Sequence, residues 1–200
     1  MMNTTGYKLL DEHEYADEAK FSGHLTTWQS YVLTRKQLES WGPYRFFMTL
    51  SFQYELSDKE GQEVLAKVWR RLMKKVLGKR WIKKGIKPLT GIVVLERAQL
   101  FAQSTREFGS CHFHLLVHEH PRLPKNDIFA AIKLLQAFID AAKQMTHPNR
   151  RWQLVSKHGV NLKVIRPGES ASFAKYVAKE AVRHDWKWDE RVFFLGKNGI

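Results

Sequence analysis

Between Cys111 and His118 the chain reads Cys-His-Phe-His-Leu-Leu-Val-His, and no other stretch limits the architecture as much. A short apolar run bounded by polar residues before it and by Pro121 and Pro124 after it predicts a β-strand. The period of two then puts His112 and His114 on one face. Two imidazoles on one sheet face can offer ring nitrogens to a single divalent cation. Taken alone, the same pair also fits hydrogen-bonded or surface histidines. His118 and His120 share the parity but stand at the strand's end. They read as rim residues, near a phosphate if one is bound.

The pattern on either side of this strand supplies its neighbours. Residues 1–44 form an N-terminal extension with an acidic start and a helix over Leu25–Trp41, closed by the breaker Gly42-Pro43. Arg45–Tyr54 predicts a strand, with Phe47, Thr49 and Ser51 facing away from Phe46, Met48, Leu50 and Phe52. Ser57 and Glu60 have capping-box spacing, and Val64, Leu65, Val68, Leu72, Val76 and Leu77 recur at helical period up to Gly78. Leu89–Leu100 predicts a strand that forms an antiparallel hairpin with Cys111–His118. Asn126–Met145 predicts a helix with Ile128, Phe129, Ile132, Leu135, Ile139 and Ala142 on its core side. A strand over Val160–Ile165, a helix over Glu169–Arg183 and a short strand within Trp186–Ile200 complete the chain. The order β-α-β-β-α-β predicts an α+β fold over residues 45–200. This is a split βαβ antiparallel sheet with helices packed on one face.

Composition narrows the function classes. With 44% hydrophobic residues and seven Trp in 200 residues, the chain can build a real core. Cys111 is the lone cysteine, which excludes an internal disulfide framework and a cysteine-based zinc site and fits a reducing cytoplasm. No apolar run reaches the roughly 18 residues of a membrane span, and Met1–Phe21 has no apolar signal-peptide segment. The net charge of +13 is concentrated: residues 59–88 hold eleven Lys and Arg against two acids. Such a block points to a polyanion, nucleic acid first, although a solvated helix face would read the same way. Arg70, Arg71, Lys74, Lys75, Lys79, Arg80, Lys83 and Lys84 are the candidate DNA-binding residues. Trp69 and Trp81 among them are candidates for stacking on unpaired bases.

Two further constellations bear on chemistry. A metal held by His112 and His114 needs another ligand, and a carboxylate suits Mg²⁺ or Mn²⁺. Glu96 stands in the otherwise apolar run Ile92–Leu95, where a carboxylate needs a partner. It is preferred over Glu107 in the connection, provided the hairpin register brings it across from the histidines. Tyr176 and Lys179, three apart, share a helical face, where a lysine would favour negative charge on a phenolate or phosphate.

In order, a strand with Phe47-Met48-Thr49-Leu50-Ser51, a later strand with His112-Phe113-His114 and a later helix with Tyr176-Val177-Ala178-Lys179 resemble the three motifs of the HUH (His-hydrophobic-His) endonucleases. Among these the chain is most similar to the single-tyrosine rolling-circle replication initiators, over roughly residues 45–183. The resemblance implies a metal-dependent nickase and strand transferase. His112, His114 and Glu96 would hold the cation. Tyr176 would be the nucleophile, forming a 5′-phosphotyrosine, and Lys179 would neutralise charge beside it. It implies single-stranded or hairpin DNA at a replication origin as substrate. It also implies a host helicase and polymerase as partners, and the cytoplasm of a bacterial or archaeal host as location. The residues after Tyr176 are too few for a fused helicase. A transposase or relaxase with the same chemistry, and a non-enzymatic nucleic-acid-binding split βαβ module, are the alternatives. The last would carry exposed aromatics on its central strands.

Overall fold

The computed structural model describes residues 27–54, 56–97, 111–147, 150–182 and 191–196. The histidine stretch forms a strand as its pattern demands. It is β3 (Cys111–His118), which follows α1 (Thr27–Ser40), β1 (Tyr44–Phe52), α2 (Asp58–Leu77) and β2 (Gly91–Arg97). After it come α3 (Asp127–Ala142), β4 (Thr146–His147), β5 (Arg150–Gln153), β6 (Val155–Val164), α4 (Ser170–Val182) and β7 (Val192–Leu195). Five strands make one sheet in the order β6-β1-β3-β2-β7, so the histidine strand is central; β4 and β5 pair separately. Every pairing is antiparallel. The fold is α+β, a five-stranded antiparallel sheet with four helices packed on it.

Helices cover both faces of the sheet, not one. On the first face Phe46, Met48, Leu50 and Phe52 of β1 and Cys111, Phe113, Leu115 and Val117 of β3 pack under α2 and α3. On the second face Phe47, Ile92, Val94 and Leu116 pack with Leu38 of α1 and with Ala174, Val177 and Ala178 of α4. The physical reason is legible in β2: Ile92-Val93-Val94-Leu95 is apolar at every position, the mark of a strand buried on both sides. All four of these residues are buried.

Helix α2 begins where the spacing indicated. Ser57 Oγ accepts the Glu60 N–H at 3.3 Å and the Glu60 carboxylate accepts the Ser57 N–H at 3.0 Å, satisfying two end donors reciprocally. Gly78 closes the helix with φ +97°, a conformation other residues resist. The apolar side of α2 lies close on β3. A Cβ on Gly61 would stand 2.9 Å from Cys111 Sγ, so only glycine lets helix and histidine strand approach this far.

Helix α3 departs from its expected orientation. Ala130, Leu134, Ala137, Phe138 and Ala141 face the core, whereas Ile128, Phe129 and Ile132 are exposed. The helix carries two apolar stripes, and the alanine-rich one wins because it admits the helix backbone close to the sheet while Leu134 and Phe138 fill the space. Strand β6 starts five residues earlier than the pattern indicated, at Val155, and the β4–β5 pair had no expected counterpart. The expected C-terminal strand is β7, beside β2 at the sheet edge. Trp186 and Trp188 lie outside the described residues. Among the described residues no helix is long and apolar enough to cross a membrane.

Candidate metal centre

The second sheet face changes character along its length. Phe47, Val94 and Leu116 are packed, but towards the end of β1 and the start of β3 the same parity brings Thr49, Ser51, His112, His114 and Glu96. Register does the assembling. Glu96 stands directly opposite His112 across the β2–β3 hairpin, and His114 is diagonal to it. Across the other edge of β3, Thr49 stands opposite His114 and Ser51 opposite His112.

The three side chains converge on one point. His112 Nε2 lies 2.9 Å and His114 Nε2 2.5 Å from the same carboxylate oxygen, Glu96 Oε2. One ligand atom from each residue falls within 4.8 Å of the others, so the group has the donor set and spacing to hold a metal ion. All three are largely withdrawn from solvent, His114 most. Burial raises the Glu96 pKa, but the hydrogen bonds and charge of His112 and His114 more than reverse this, holding it well below the usual carboxylate range. Glu96 is therefore ionised at neutral pH and is the anionic member of the group.

The fit to a cation also rests on what lies behind the histidines. His114 Nδ1 is 3.3 Å from Thr49 Oγ1. With the cation on Nε2, Nδ1–H would donate to that hydroxyl, the outer hydrogen bond that orients a ligating imidazole. The ring is also stacked on Phe47, with centroids 5.2 Å apart. Thr49, which the sequence places on one face with Phe47 and Ser51, thus touches the site directly. Its signal was the hydroxyl face that it shares with Ser51.

Helix α4 brings Tyr176 over this group. Its ring meets His114 edge-on with centroids 5.3 Å apart, and meets Phe47 at 6.0 Å. Tyr176 is nevertheless 46% exposed, so α4 covers the group without burying this residue. Lys179 follows one turn later on α4. Glu107 lies outside the described residues. On the far side of Thr49, β6 presents Asn161 opposite Thr49 and Lys163 opposite Phe47, both exposed. Their neighbours Val160, Leu162 and Val164 pack on the first face, so these two polar side chains border the site; the alternation Val-Asn-Leu-Lys-Val was the signal for them.

Other expected residues lie elsewhere. His118, read as a rim residue, uses both ring nitrogens within the protein: its Nε2 donates to the Trp41 carbonyl at 2.8 Å and its Nδ1 meets Thr90 Oγ1 at 3.0 Å. His120 is buried, donating to the Lys87 carbonyl at 2.9 Å and accepting the Arg122 N–H at 3.1 Å. Both anchor the strand end by using both ring nitrogens. Trp69 and Trp81 are core residues, 0% and 4% exposed, and so present no face for stacking on bases. Arg70, Lys74, Lys75, Lys79, Arg80, Lys83 and Lys84 are exposed. Arg71 is half-buried, with its guanidinium donating to the Gln144 carbonyl at 3.1 Å, and Lys75 pairs with Asp140 at 3.0 Å. All of these belong to α2 and the loop after it, across the sheet from the Glu96–His112–His114 group.

Neither models of known protein families, nor curated proteins, nor solved structures returned a match to this chain.

Proposed function

We propose that this chain nicks and rejoins single-stranded DNA through a tyrosine nucleophile, as a rolling-circle replication initiator. The observation that carries the reading is the packing of the Tyr176 ring on His114, because it unites a half-exposed phenol with a convergent His-His-Glu group. The strand order β6-β1-β3-β2, with α2 and α3 in its crossovers, supports the split βαβ reading of the fold and with it the HUH resemblance.

Glu96, His112 and His114 would hold the cation, with Thr49 fixing the His114 ring. The chemistry supplied by a bound Mg²⁺ or Mn²⁺ is Lewis-acid polarisation of a phosphoryl oxygen. Tyr176, its phenol proton lost to water, attacks phosphorus in line. The bond formed is Oη–P and the bond broken is P–O3′; the departing oxygen takes up a proton and leaves a free 3′-hydroxyl. Lys179, one turn from the nucleophile, offsets the charge that develops there. In the reverse step a 3′-hydroxyl attacks and Tyr176 departs, which joins strands with no nucleotide cofactor.

The non-enzymatic alternative called for exposed aromatics on the central strands. Phe46, Phe47 and Phe113 are instead buried, which favours the enzyme. Labelled single-stranded DNA carrying the origin of the chain's own replicon, incubated with protein and Mn²⁺, is expected to give a covalent adduct on a denaturing gel. Tyr176→Phe and EDTA should each abolish it. A wild-type protein that binds Mn²⁺ yet forms no adduct on any origin-derived strand would overturn the proposal.

A further inference from the structure

Just past the end of β1, two exposed aromatic rings lie against each other. Tyr54 follows β1 and Trp152 sits in β5; their ring centroids are 5.3 Å apart and their planes differ by 28°. They are 37% and 48% exposed, so the pair covers one face of each ring and leaves aromatic surface open to solvent. Of the tryptophans whose side chains are described (Trp41, Trp69, Trp81 and Trp152), only Trp152 is exposed. Rings of this size are usually buried, and two stacked and left exposed present a flat apolar surface that a planar ligand can cover.

The backbone holds the pair in place. The Gln53 N–H donates to the Leu154 carbonyl at 2.9 Å, and the Leu154 N–H to the Met145 carbonyl at 2.8 Å. Leu154 is itself in the core. Both rings therefore sit next to fixed main chain.

Position and charge indicate the ligand. Tyr54 lies three residues past Ser51, which faces His112, so at most about 10 Å of extended chain separates the two. Strand β5 reads Arg150-Arg151-Trp152-Gln153, and the Arg71 guanidinium donates to Gln144 at the base of the same β4–β5 pair. The segment that carries Trp152 is thus tied on one side to the end of β1 and on the other, through Gln144, to α2. An aromatic face on a strand of basic sequence, in a chain of net charge +13, is complementary to an unpaired base and its phosphate.

We infer that Tyr54 and Trp152 form a stacking platform for an unpaired base of the single-stranded DNA that reaches the Glu96–His112–His114 group. This rests on the reading of the chain as acting on single-stranded DNA. The platform carries the strand around the sheet end, towards α2.

The test is equilibrium binding of a fluorescent oligo(dT) to the full chain in EDTA, where no chemistry can occur. Trp152→Ala and Tyr54→Ala should each weaken binding by about 5- to 150-fold, the range for removing one ring from beneath a stacked base. The salt dependence should be unchanged, because every cation that pairs with a phosphate is still present. Trp152→Phe should retain most of the affinity and Trp152→Leu should not, a contrast that holds only if both variants melt like wild type. Binding by Trp152→Ala within about twofold of wild type overturns the platform. So does an equal loss on duplex DNA, or a loss confined to oligo(U). Because the assay needs neither metal nor Tyr176, weakened oligo(dT) binding without any wild-type adduct would keep the platform and remove only the nicking activity.

Discussion

At the residue scale the site turns on His114. Its Nε2 points at Glu96, its Nδ1 at Thr49, one ring face stacks on Phe47 and the edge of Tyr176 meets it. A ring held on so many sides is committed to one orientation, which is what a ligand needs before the cation arrives. Thr49→Val keeps the shape and removes the hydroxyl. It is expected to weaken Mn²⁺ binding by about 10-fold, the low end for removal of an orienting hydrogen bond, with little change in thermal stability. Calorimetric or spin-resonance titration of Mn²⁺ checks this, and an unchanged affinity would return Thr49 to a purely structural role. The histidines were legible in the sequence because their spacing matches the strand period. Thr49 was legible as to its face but not its partner: parity tells which side a residue takes, whereas its opposite number depends on strand register.

At the scale of elements, α2 and α3 show how far periodicity reaches. Helix α2 has one apolar stripe and good caps, so its face and its ends follow from the sequence. Helix α3 has two, and both satisfy helical spacing. The larger side chains Ile128, Phe129 and Ile132 suggested the core side, yet Ala130, Leu134, Ala137 and Phe138 occupy it. Close packing against the sheet selects small residues with two larger ones between them, a condition that hydrophobicity alone does not express. Ile132→Lys should therefore change stability by no more than about 0.5 kcal/mol. Leu134→Ala should cost about 2–5 kcal/mol as a buried truncation. Urea unfolding of the two variants decides between the faces, and the reverse ranking would mean that α3 is turned the other way.

At the scale of the whole molecule, the sheet separates two features that the sequence left side by side as nucleic-acid signals. The His-His-Glu group lies on the face shared with α1 and α4, while Arg70, Lys74, Lys79 and their neighbours lie on or beyond α2 on the other. A single strand that engages both must pass around the sheet end. Arg70→Gln with Lys74→Gln should therefore weaken binding of a long single strand and lower its salt slope by about 0.7 for each phosphate no longer neutralised. A short strand confined to the site face should bind as before, and Mn²⁺ affinity should not move. A salt titration with strands of two lengths makes the comparison. Equal losses on both lengths would contradict the separation.

The division between local and tertiary information falls along the same lines. The sequence by itself determined that residues 111–118 are a strand with His112 and His114 on one face, that α2 starts at a Ser57–Glu60 box, and that Tyr176 lies on a late helix. Each follows from covalent geometry and a repeat of 2 or 3.6 residues, information carried within a few positions of the chain. The choice of Glu96 as the carboxylate opposite the histidines needed the β2–β3 register. The helical cover on both faces of the sheet, the turn of α3 about its axis and the burial of Trp69 and Trp81 needed the packed molecule. These are relations between segments distant in sequence, settled by which arrangement excludes water and fills space best, and no local pattern can state them.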